Sequence, residues 1–88
     1  MTKDQWTEMT DFMKEEPSVV TDYLETMYDE MPESDIFGFY EAVFQDKPET
    51  TDKEAVFEKL LGELYELTEE RQKEFFAVMQ RVKKAIVK

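Results

Sequence analysis

Ser34-Asp35-Ile36-Phe37-Gly38-Phe39-Tyr40-Glu41-Ala42-Val43-Phe44-Gln45-Asp46 is the stretch on which the fold turns. Wound at 100° per residue, Ile36, Phe37, Phe39, Tyr40, Val43 and Phe44 cover an apolar arc of roughly 160°, wider than a surface helix needs. Ser34 is a suitable N-cap. The pattern predicts a helix over 34–46, the most buried and central of the molecule. Gly38 and Ala42 lie one turn apart on its other side, where a neighbouring helix can approach closely, at a propensity cost of about 1 kcal/mol for the glycine.

The same period recurs on both sides of this stretch. Thr2 with Gln5 has capping-box spacing, and Trp6, Met9 and Met13 follow at i, i+3 and i+7 with Phe12 beside them, predicting a first helix over about 3–15. Pro17 suits the first turn of a second helix carrying Val20, Tyr23, Leu24, Met27 and Met31, which Pro32 ends because the residue before proline is driven from helical ψ. After a Lys47-Pro48-Glu49-Thr50 loop, Thr51 with Glu54 forms another capping-box pair. It opens a helix over about 52–66 that buries Val56, Phe57, Leu60, Leu61 and Leu64.

Thr68, followed by Glu69 and Glu70, is a candidate cap for a fifth stripe of Phe75, Phe76, Met79, Val82 and Ile86. If the cap operates, the last two helices fold back as a hairpin. If not, 52–87 is one rod of about 50 Å, too long for a small domain without a second chain. The hairpin is preferred. The expectation is an all-α, compact bundle of four to five helices, with 1–88 as a single acidic helical domain, since a chain this short supports one core.

Twelve aromatic residues among 88 supply far more burial than a disordered acidic tail would. Cysteine is absent, which fits a reducing compartment, and the N-terminus turns acidic at once. Neither a signal peptide nor a membrane span is expected, and a cytoplasmic location follows as the default.

The residue types exclude much chemistry. Without histidine there is no ordinary general base and no imidazole metal ligand, and without cysteine no thiolate nucleophile. The segment Asp46–Phe57 offers oxygens at Asp46, Pro48, Thr50 and Asp52, but an EF-hand needs glycine where Thr51 stands and a bidentate glutamate where Phe57 stands. Di-iron sites need histidine, and Gly38 and Gly62 form no phosphate loop. No enzyme, no metal and no cofactor are expected.

Charge is divided at about Glu70. Residues 1–70 hold 21 Asp and Glu against 5 Lys and Arg, a net of −16; residues 71–88 hold 1 against 6, a net of +5. Asp4, Glu8, Asp11 and Glu15 fall at i, i+4, i+7 and i+11, so the first helix sets a line of carboxylates against its apolar stripe. Asp22, Glu25 and Asp29 repeat the device on the second helix, and Glu63, Glu66, Glu70 and Glu74 offer a third line. Like charges at this spacing each cost a few tenths of a kcal/mol. Two readings follow. The lines are ordinary solvated faces, or they imitate duplex phosphates and occupy a nucleic-acid-binding groove on another protein.

In size, acidity and lack of chemistry the chain resembles phage and mobile-element inhibitors that mimic DNA to block restriction or CRISPR nucleases. The likeness lies in composition and shares no motif. It implies a non-enzymatic inhibitor whose partner has a basic surface, with Asp4, Glu8, Asp11, Glu15, Asp22, Glu25 and Asp29 as the partner-binding residues. The alternative is a helical adaptor or structural module that binds through an apolar face. Lys83, Lys84 and Lys88 either complement the negative end of the last helix or dock on another copy to give a homodimer. Direct nucleic-acid binding is not expected, because the acidic body repels phosphate. Trp6, Met9, Phe12 and Met13 are expected in the core, while Tyr28 and Phe39, if exposed together, would mark a dimer or partner contact.

Overall fold

Five α-helices form an all-α bundle in the computed structural model, which describes residues 1–87; Lys88, counted above among the terminal cations, lies outside the described residues. Helix α1 (Lys3–Met13) starts where its capping box predicts. The Thr2 hydroxyl accepts from the Gln5 N–H at 3.1 Å, and the Gln5 side chain accepts from the Thr2 N–H at 2.9 Å. It ends two residues short of the expected Glu15, because the backbone tightens into turns in which both Glu15 and Glu16 donate to the Phe12 carbonyl.

Helix α2 (Val19–Met27) has no side-chain cap and begins two residues after Pro17, not at it. Its continuation narrows to a 3₁₀ turn over Tyr28–Glu30 before Pro32. Thr21 is wholly buried, with its hydroxyl donating to the Ser18 carbonyl at 2.7 Å. Helix α3 (Glu33–Phe44) opens with Pro32, not Ser34, in the capping position, and Ser34 contributes no cap. It closes on Gln45, whose N–H makes the last i→i−4 bond, to the Glu41 carbonyl at 2.8 Å, and whose left-handed φ of 56° then turns the chain out of the helix.

Helix α3 occupies the centre, packed on both α4 (Lys53–Glu70) and α5 (Gln72–Ile86). Only Glu33, Ser34 and Glu41 of its residues are exposed. Ile36 and Phe39 join Met9, Leu24, Leu60, Leu64, Phe75, Met79 and Val82 in the fully buried core. The small residues predicted to admit a neighbour do so: a Cβ built on Gly38 would sit 2.8 Å from Ile86 Cγ2 of α5, and Arg81 Nε of α5 donates to the Ala42 carbonyl at 3.2 Å. The Met1 ammonium pairs with the buried Asp35 carboxylate and donates to the Ile86 carbonyl at 3.3 Å, tying the start of α1 to α3 and to the end of α5.

The cap of α4 is Asp52, whose carboxylate accepts from the Glu54 N–H at 3.1 Å, in place of the expected Thr51. The helix runs four residues past the predicted Glu66. Thr68 does not cap α5 either; it is buried within α4, and its hydroxyl donates to the Tyr65 carbonyl at 3.0 Å. The break falls on Arg71 alone, at φ −131° and ψ 54°, and α5 turns back to pack on α4. The guanidinium of Arg71 holds both arms of this hairpin, reaching Glu63 at 2.8 Å and Glu74 at 3.1 Å.

Candidate functional site

The amphipathic winding of α1 places Trp6, Met9 and Met13 in the core and leaves Asp4, Glu8 and Asp11 on the opposite, exposed side. On α2, Val20 and Leu24 are buried while Asp22 and Glu25 are exposed. Glu15 and Asp29 are exposed too, but neither continues its helical line: Glu15 lies in the turn after α1, and Asp29 in the 3₁₀ turn after α2. Among the described residues none of these seven carboxylates forms an ion pair. Lys83 and Lys84, in the last turn of α5, likewise make no ion pair among them.

The packing of α1 on α2 brings part of this set together. Glu8 and Asp22 stand on either side of an open groove of about 520 Å³, lined also by Gln5, Phe12, Val19, Tyr23, Thr26 and Met27. Partial burial and the negative field of Glu8, with a further contribution from Glu30, raise the Tyr23 phenol above its usual pKa. Asp4 and Asp11 sit one turn to either side of Glu8 on the same helix. Glu25 turns away, toward α4, where it accepts from the Tyr65 hydroxyl at 3.1 Å.

The third acidic line does not survive folding as a coherent face. Glu63 and Glu74 are bound by Arg71, and the helix break between Glu70 and Glu74 removes their common register. No group of three or more His, Cys, Asp or Glu is placed to hold a metal ion among the described residues. Nor is any described helix long and apolar enough to cross a membrane.

Three aromatic expectations are corrected. Phe39 is wholly buried and Tyr28 half-buried, its ring 4.5 Å from that of Phe57 and beneath Lys53 Nζ at 4.3 Å, so the two do not form a surface pair. Phe12, expected in the core, is 57% exposed, and Phe76 is 42% exposed. Phe12 is the groove residue that the spacing missed. At 100° per residue it lies between the buried stripe and Glu8, and only the position of α2 decides whether that sector is covered.

No family model, no curated protein and no solved structure matches this chain.

Proposed function

We propose that this protein is a non-enzymatic acidic binder that occupies a basic, nucleic-acid-binding groove on a partner protein and thereby keeps nucleic acid out of it. The observation that carries the reading is the exposure of Asp4, Glu8, Asp11, Glu15, Asp22, Glu25 and Asp29 with no cation paired to any of them among the described residues. A chain that needed acidity only for solubility gains nothing from setting α1 carboxylates one turn apart, where they repel. The four that α1 and α2 bring together, Asp4, Glu8, Asp11 and Asp22, equal the charges on about 7 Å of duplex axis. The likeness to anti-defence inhibitors makes a restriction or CRISPR nuclease the first partner to test.

The experiment is capture of partner proteins on the immobilised chain at 50 and 300 mM NaCl, followed by challenge with duplex DNA. The expected outcome is a nucleic-acid enzyme that salt weakens and duplex DNA releases. Its capture should be lost with the combined Asp4→Asn, Glu8→Gln, Asp11→Asn and Asp22→Asn variant, since removal of the charges flattens the salt dependence. A complex that survives 300 mM NaCl, ignores duplex DNA and tolerates that variant would establish the adaptor reading instead.

A further inference from the structure

The groove between α1 and α2 holds a combination that duplex phosphates lack: carboxylates at its rim and an apolar floor. We propose that this groove receives an apolar side chain from a Lys- and Arg-rich segment of the partner, so that the protein binds a basic amphipathic segment and not cationic charge alone. The inference rests on the electrostatic reading above and deepens it by naming what the partner presents.

Charge complementarity selects the occupant. Phe12 is 57% exposed beside Val19, Tyr23 and Met27, and Glu8 and Asp22 flank it without a paired cation among the described residues. Partial burial, and after it the negative charge of Glu8, raise the Tyr23 phenol above its usual pKa at this groove. An uncharged apolar ligand would leave those carboxylates desolvated and unmatched. A basic segment neutralises them while its apolar residue covers Phe12, the helix-in-groove mode with charged flanks. A second copy of the chain is disfavoured by its net charge of −11, which repels its like at every approach outside the small basic end.

The test uses two fluorescein-labelled peptides with the same number of lysines, one of Lys and Leu with an amphipathic helical pattern, the other of Lys, Gly and Ser. Anisotropy is read from 50 to 300 mM NaCl. Both peptides should bind with similar salt slopes, and the Leu-containing peptide should bind about tenfold more tightly at 150 mM, as expected for covering about half a phenylalanine and its neighbours. Phe12→Ser should erase that advantage and leave the Gly/Ser peptide unchanged, whereas Phe76→Ser, on the far side of α1, should change neither. Both residues are exposed, and circular dichroism verifies that the variants fold.

Equal affinity for the two peptides, or a preference that Phe12→Ser leaves intact, would overturn the groove proposal while sparing the electrostatic reading. Failure to bind either peptide would remove both. Light scattering that shows a dimer dissolved by Phe12→Ser would assign the groove to another copy and overturn the proposal.

Discussion

Gly38 and Gly62 occupy helix interiors and differ in what surrounds them. At Gly62 of α4 a Cβ would meet nothing within 4 Å, so Gly62→Ala should stabilise the protein by up to about 1 kcal/mol and raise Tm by about 4–8 °C. At Gly38 the added carbon would press on Ile86 Cγ2 at 2.8 Å, and Ile86 is buried on a branched stub that cannot swing aside. Overpacking there costs about 1–3 kcal/mol and outweighs the propensity gain. Thermal denaturation of Gly38→Ala should therefore show a lower Tm, and a rise at both positions would refute the close approach of α5. The spacing of Gly38 and Ala42 announced that approach, but nothing in it named α5 as the neighbour. Phe12 shows the reverse failure, an aromatic residue whose helical position placed it near the core and whose exposure depended on where α2 came to rest.

Among the elements, interior stripes were easier to read than ends. Helix α1 was legible at its start because Thr2 and Gln5 satisfy each other's backbone N–H groups within four residues. At α4 two acceptors compete side by side, and Asp52 prevails over Thr51. Asp52→Ala should accordingly cost about 0.5–2 kcal/mol in chemical denaturation while Thr51→Ala stays near neutral; the opposite order would restore Thr51 as the cap. The corner between α4 and α5 carried no glycine or proline to mark it. Its break at Arg71 leaves one non-helical residue between two helices in which Thr68 and Phe75 are buried, and burial of this kind is gained only when the helices pack. The same break dismantled the third acidic line, which local spacing had drawn straight through it.

At the scale of the whole molecule, an excess of 11 negative charges is distributed over a body of 33 × 27 × 22 Å. A duplex 33 Å long carries about 19 charges, so the chain reaches roughly half that linear density. Self-repulsion at this density opposes the folded state and is screened by salt, as the Debye length falls from about 30 Å at 10 mM to about 8 Å at 150 mM. Tm should therefore rise between 10 and 150 mM NaCl, and the quadruple Asn/Gln variant of α1 and α2 should show a smaller rise from a higher starting point. A Tm indifferent to salt would mean that the carboxylates are compensated in solution.

Helix class, the central place of the third helix, most of the core stripes and the outward side of the α1 and α2 carboxylates were written in residue order, because each depends on a period of 3.6 and on contacts within a turn. Which helix fills the notch at Gly38, where the last two helices part, and which carboxylates face each other across a groove were decided by packing. Those outcomes weigh contacts between residues tens of positions apart, and no local spacing encodes that balance.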